Sequence, residues 1–156
     1  MRKKSLVIAI IFALIDYLIK LIIKKSFLLG EINTLIPKVL YLTNVRNTGA
    51  AWSIFENNTI FIIIISILVF AFLLFWEKDF QENNRNMFGF SLIYGGLLGN
   101  LFDRIMYKYV TDYIGIYIGS YSFPIFNFAD ILLVIGFAFI IYAVIKKEDK
   151  NENSKR

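Results

Sequence analysis

The sequence predicts an all-α membrane protein with four transmembrane helices, both termini on the inner side (N-in/C-in), and a small extracytoplasmic β-element. Three observations lead there. Of the 156 residues, 58% are hydrophobic, and the mean hydropathy is +0.62. The apolar residues gather in four runs, 6–23, 59–76, 87–105 and 126–145, each near the roughly 20 residues that cross about 30 Å of hydrocarbon. The basic residues behind the net charge of +5 sit mainly at the two ends of the chain, beside the runs. Flanking positive charge reports topology, so no nucleic-acid partner is expected.

The first run follows Met1-Arg2-Lys3-Lys4, as the apolar core of a secretory signal would. It continues into Lys24-Lys25-Ser26-Phe27 without a small-residue cleavage site, and so reads as a retained helix. Residues 39–45 mix β-branched and aromatic side chains as a strand does, and Asn47-Thr48-Gly49 reads as a turn. Between the third and fourth runs, residues 109–123 are rich in Tyr, Ile and Gly, which suits the interfacial layer of a bilayer. Residues 1–147 are expected to form one transmembrane domain, with 148–156 a charged, disordered inner tail. Orientation follows from Lys and Arg beside the runs. Ten lie on the inner side (Arg2, Lys3, Lys4, Lys78, Arg85, Lys146, Lys147, Lys150, Lys155, Arg156) and six on the outer (Lys24, Lys25, Lys38, Arg46, Arg104, Lys108).

The absence of His and Cys removes whole classes of chemistry. There is no Ser-His-Asp triad, cysteine nucleophile, disulfide, His-bearing zinc site or thiolate cluster to build. Neither a metal nor a cofactor is expected. Ionisable groups inside a membrane are costly, so each is a functional candidate. Asp16 and Lys20 stand four apart and share one helix face. An ion pair that lowers the cost of burial and a lining role at a polar site both fit them. Asn100 lies beside both Asp103 and Arg104 on the third run. Gly95 and Gly99 form a GxxxG, for which close helix packing is the simplest explanation.

Asn127 and Asp130 open the fourth run three residues apart, as an N-cap and a first-turn acid would. Folding the third and fourth runs antiparallel brings Asp112 and Asp130 to similar depth on the outer side. Two carboxylates close together in a low-dielectric site keep one proton between them. One can then activate water while the other donates to a carbonyl oxygen. A proton-coupled transporter is a competing reading, and it would spread its acids across the membrane. A Ser-Lys hydrolase using Lys20 with Ser53, Ser91 or Ser122 is another.

At these residues the sequence resembles the lipoprotein signal peptidases, the type II signal peptidases of bacteria, which are aspartic proteases of the cytoplasmic membrane. The likeness rests on DYLIK at 16–20, NTGAAWS at 47–53, GGLLGNLFDR at 95–104, and VTDYI at 110–114 with FNFAD at 126–130. It implies that Asp112 and Asp130 are the catalytic pair. It also implies that Asn47, Asn100, Arg104, Asn127, Asp16 and Lys20 serve the substrate site, and that Asp103, Gly49 and Gly99 are structural beside it. Thr111 and Tyr113 stand where the family usually has Val and Phe, and Trp52 stands where Phe is common. The implied substrate is a prolipoprotein cut on the amino side of a diacylglyceryl-cysteine. The implied partners are membrane lipids and globomycin-type peptide inhibitors, and the implied location is the bacterial cytoplasmic membrane with the site facing outward.

Overall fold

The structure is a computed structural model that describes residues 1–49 and 58–146. Trp52, Ser53 and the expected tail 148–156 lie outside the described residues. Among the described residues four α-helices form the bundle: α1 (Arg2–Ser26), α2 (Thr59–Trp76), α3 (Asn84–Tyr107) and α4 (Phe128–Ile145). A 3-10 turn, Glu77–Asp79, follows α2. Strands β1 (Ile32–Ile36), β2 (Leu40–Asn47), β3 (Val110–Ile118) and β4 (Tyr121–Ser122) make one antiparallel sheet in the order β1-β2-β3-β4. The chain runs up and down, so that α1 and α3 end at the sheet while α2 and α4 begin there.

Three helical segments, Arg2–Ser26, Thr59–Asp79 and Phe128–Ile145, are long and apolar enough to cross a membrane. The third expected span is helical but fails that test, because α3 carries Asn84, Arg85, Asn86, Asn100, Asp103 and Arg104. Its position explains the composition. It packs along both α1 and α4 and buries thirteen of its residues, whereas α2 buries only Thr59, Ile62 and Leu73. A helix enclosed by protein needs internal partners for its polar groups, while one facing lipid has to be apolar all round.

Small residues let these helices approach. A Cβ on Gly95 would stand 2.7 Å from Phe12 Cβ of α1, and one on Gly96 would stand 2.5 Å from the Ala129 carbonyl oxygen of α4. Of the GxxxG, Gly95 meets Phe12 and Gly99 meets Asp16, both on α1, so the motif lies at a close contact between α1 and α3. At the end away from the sheet, Glu77 is buried and accepts hydrogen bonds from the Ser5 hydroxyl at 2.8 Å and the Tyr94 hydroxyl at 2.9 Å. This knot ties the end of α2 to α1 and α3.

The expected strand at 39–45 is β2, shifted by one or two residues. The sheet is larger than expected, since 109–123, read as an interfacial segment, contains β3 and β4, and β1 was not foreseen. All five residues of β1 are exposed, so no buried face marks it in the sequence. Gly115 in β3 has no side chain because the Tyr41 ring of β2 lies over it. Two hydrogen bonds between Ile114 and Phe126, at 2.8 and 3.0 Å, then lead the chain from β3 into α4.

Substituting Gly96→Leu forces α3 and α4 apart at the Ala129 carbonyl. The expected outcome is a loss of about 1–3 kcal/mol of stability, read as a lower melting temperature in detergent. An unchanged melting temperature would show that the contact is not tight.

Candidate active site

The site lies where the sheet meets the start of α4. Asn127 is the N-cap of α4, its Oδ1 accepting from the Asp130 N–H at 3.1 Å, and Asp130 Oδ2 accepts from the Asn127 N–H at 3.1 Å. This reciprocal capping box fixes both side chains with the helix start. The other end of the Asn127 amide donates to Asp112 Oδ1 at 2.6 Å. One carboxamide therefore links the two carboxyl-bearing segments, and Asp130 is close enough to act electrostatically on Asp112.

Each carboxylate has a further amide donor. Asn47 donates to Asp112 Oδ2 at 2.8 Å, and Asn100 donates to Asp130 Oδ1 at 2.8 Å. Asp112 is placed by β3, opposite Val45 of β2. Asn47 closes β2, and its Oδ1 accepts from the Gly49 N–H at 2.9 Å, which makes the expected turn. Arg104 donates to the Gly49 carbonyl oxygen at 2.8 Å, and its charge reaches Asp112 and Asp130. Gly49 thus anchors the arginine through its backbone.

Asn47, Asn100, Arg104, Asp112, Asn127 and Asp130 all line one cavity of about 780 Å³. Apolar residues of the 123–126 segment and the α4 positions Ile131, Val134 and Ile135 complete its wall. A polar end with two carboxyls and an apolar flank suits a ligand that is part peptide and part hydrocarbon.

Asp16 and Lys20, expected to serve the substrate site, do not line the cavity. They are 0% and 1% exposed and lie behind Asn100. Lys20 Nζ stands 2.7 Å from Asp16 Oδ2 and 3.5 Å from Asp103 Oδ2, and donates to Asn100 Oδ1 at 3.0 Å. Asp16 Oδ1 accepts from the Ala129 N–H of α4 at 3.0 Å, and Asp103 Oδ2 accepts from the Thr111 N–H of β3 at 3.0 Å. A Cβ on Gly99 would stand 2.5 Å from Asp16 Oδ2, so this glycine admits the network. The acid Asp103 accordingly holds the strand that carries Asp112.

Sequence reasoning did not foresee Tyr113 as a cap. Its hydroxyl oxygen accepts from the Phe128 N–H at 3.1 Å in the first turn of α4. The only sequence signal was a Tyr where Phe is usual. Glu77 was also missed, because its burial depends on α1 and α3 closing over the end of α2. Among the described residues no serine bonds Lys20: Ser91 donates to the Met87 carbonyl oxygen of its own helix, and Ser122 lies in exposed β4. The four acids Asp16, Asp103, Asp112 and Asp130 gather at one end of the bundle, and the other buried acid among the described residues, Glu77, stands at the far end with Ser5 and Tyr94.

An apolar bundle with two carboxyl groups lining one cavity is an arrangement that hydrolases with paired aspartates use. The model of the family described as signal peptidase (SPase) II matches residues 8–146. A lipoprotein signal peptidase of Staphylococcus carnosus (strain TM300) is 38% identical over 149 residues, covering 95% of this chain and 94% of that protein. A solved structure titled as a bacterial membrane enzyme determined by the in meso method at 2.3 Å resolution superposes with a TM-score of 0.82. It is 39% identical and covers 91% of this chain and 87% of its own. A second, titled likewise at 1.9 Å resolution, gives a TM-score of 0.79 at 39% identity over 91% and 92% of the two chains. The chain belongs to the signal peptidase II family, a family of aspartic peptidases.

Two outcomes are expected from the site's geometry. Burial first, and then the Asp130 charge, push the Asp112 carboxyl up from 3.8 to about 6, against hydrogen bonds from Asn47 and Asn127. In that interval the folded chain holds a proton that the unfolded chain has released, so this group's contribution to stability is full below 3.8 and falls as pH rises through about 6. Melting curves of wild type and Asp112→Asn should therefore diverge across this window, with the variant lacking that downward component; parallel curves would refute it. Replacing Tyr113 by Phe leaves the Phe128 N–H without its acceptor. A loss of about 1 kcal/mol is expected in chemical denaturation, and no loss would mean that another acceptor takes its place.

Proposed function

We propose that this chain is a membrane-embedded aspartic endopeptidase that removes the signal peptide from diacylglyceryl-modified prolipoproteins, cleaving on the amino side of the lipidated cysteine. The observation that carries the reading is the placement of Asp112 and Asp130 on either side of the Asn127 side chain, at the polar end of a cavity with an apolar flank. All four helices cross a bacterial cytoplasmic membrane, with both ends of the bundle chain inside and the sheet and cavity at the outer surface. The distribution of Lys and Arg supports that orientation. Lipid chains on the substrate cysteine would hold the scissile bond at the depth of the pair, and surrounding membrane lipids bathe the apolar flank.

Hydrolysis is non-covalent in this scheme. The carboxylate of the pair takes a proton from water as its oxygen bonds to the amide carbon, and the protonated partner donates to the carbonyl oxygen. The tetrahedral species then collapses: the C–N bond breaks, the leaving nitrogen takes the proton that the first carboxylate drew from water, and the hydroxyl that was the carbonyl oxygen returns its proton to the partner. Asn47, Asn100, Asn127 and Arg104 position the pair and the substrate backbone, and the same donors would hold globomycin-type peptide inhibitors.

The test is release of signal peptide from a lipidated precursor by purified wild type, Asp112→Asn and Asp130→Asn. Wild type should cleave, and each variant should insert normally while losing at least about a thousandfold in kcat, in line with losses from removing catalytic groups. Full activity in either variant would remove the pair from the reaction.

A further inference from the structure

The side-chain amides of the site are oriented, and their orientation has a source. Asn and Gln present an acceptor at one end and two donors at the other, so the neighbour at one end decides what the other end offers. For Asn127 the neighbour is backbone, since its Oδ1 receives the Asp130 N–H and its Nδ2 must then face Asp112. Asn100 has no such cap. Its Oδ1 faces Lys20 Nζ at 3.0 Å and the Asn127 amide at 3.2 Å, and its Nδ2 faces Asp130 Oδ1 at 2.8 Å. An ammonium has only donors. With Lys20 present, the Asn100 oxygen has to point at it, and the NH₂ has to point at Asp130.

We propose that Lys20 is a positioning residue for the carboxylate pair: through Asn100 it holds Asp130 as the ionised member, and the shared proton rests on Asp112. The inference depends on the reading of Asp112 and Asp130 as the reacting pair. Asp130 sits in the first turn of α4, where the helix dipole favours negative charge, and accepts from both the Asn127 N–H and the Asn100 amide. Asp112 likewise accepts from two amides, those of Asn47 and Asn127, but it sits in a strand without a helix end and is 3% exposed, so burial and the missing helix dipole set it apart. Asp130 is thereby the base toward water, and Asp112 the acid toward the carbonyl oxygen.

Other charged and titratable groups surround the pair. On α1 they are Asp16 and Lys24, with Lys20 itself; on α3, Asp103 and Arg104; on β2, Arg46; on β3, Tyr113 beside Asp112. Lys20 and Lys24 balance Asp16 and Asp103, so the network behind Asn100 carries no formal net charge. The contribution of Lys20 to the pair is then chiefly the direction of one amide. If Lys20 loses its donors, the Asn100 oxygen keeps only the Asn127 amide at 3.2 Å, whose shorter bond of 2.6 Å goes to Asp112, so the hold against a turn of that oxygen toward Asp130 is weakened. On that turn the ionised form of Asp130 loses a donor and its protonated form gains an acceptor.

The experiment measures kcat and KM across pH on the lipidated precursor for wild type, Lys20→Met, Lys20→Arg and the double variant Lys20→Met with Asp16→Asn. In Lys20→Met the acid limb of the kcat profile should move to higher pH by on the order of one unit. Its kcat at the optimum should fall on the order of ten- to a hundredfold, as when other supporting side chains are lost, with KM little changed. Lys20→Arg keeps a donor-only side chain and should keep the acid limb in place, whatever its effect on rate. The double variant removes one positive and one negative charge together, so a shift that persists in it comes from amide orientation and not from net charge. It also serves where Lys20→Met alone does not accumulate in the membrane. An acid limb unmoved in both the single and the double variant, or a rise in KM with kcat intact, would overturn the proposal while leaving the peptidase reading in place. Absence of cleavage by wild type would instead strike that reading, and this inference with it.

Discussion

A buried ammonium group organises this end of the molecule. Lys20 Nζ has three protons to place and, 1% exposed, cannot place them in water. An unpaired buried ion costs several kcal/mol, so the fold supplies Asp16 from the same helix and Asp103 and Asn100 from α3. Each partner then uses its remaining valence elsewhere. Asp16 receives the Ala129 N–H of α4, Asp103 receives the Thr111 N–H of β3, and Asn100 reaches Asp130. One charge on α1 thereby fixes the positions of the two segments that carry Asp112 and Asp130.

The same economy appears at the start of α4. A capping box ordinarily ends with the backbone satisfied. Here the cap residue Asn127 has an amide left over, and that amide meets Asp112. A helix start thus doubles as the bridge between two carboxyl groups, and the hydroxyl of Tyr113 secures a further N–H of the same turn. Rigidity of this kind comes from the donors on the pair itself: Asp112 and Asp130 each accept from two N–H groups, which leaves the acids little freedom to separate.

The lipid-facing and protein-facing helices divide their roles by composition. The apolar helices α2 and α4 supply hydrocarbon-compatible surface, and α3 holds the polar residues that such a surface excludes. At the opposite end of the bundle, Glu77 meets the hydroxyls of Ser5 and Tyr94, which ties the end of α2 to α1 and α3. Polar groups therefore fasten both ends of a bundle whose middle packs through glycine and aliphatic contacts.

The sequence by itself determined what depends on local spacing and on solvent. The four apolar runs are all helical, three of them long and apolar enough to cross a membrane, and the Asp16/Lys20 pair four residues apart and the Asn127/Asp130 cap three apart follow the helical period. Folding the third and fourth runs antiparallel was expected to bring Asp112 and Asp130 to similar depth, and in the structure both line one cavity. Only the tertiary structure decided that Asp16 and Lys20 stand behind the cavity, that Asp103 holds β3 through Thr111, that residues 110–118 are a strand, and that Glu77 is buried. Those outcomes depend on which backbone groups distant segments leave unpaired. A hydrogen bond across eight residues, or one linking Asp16 to Ala129, has no period in the chain from which to be read.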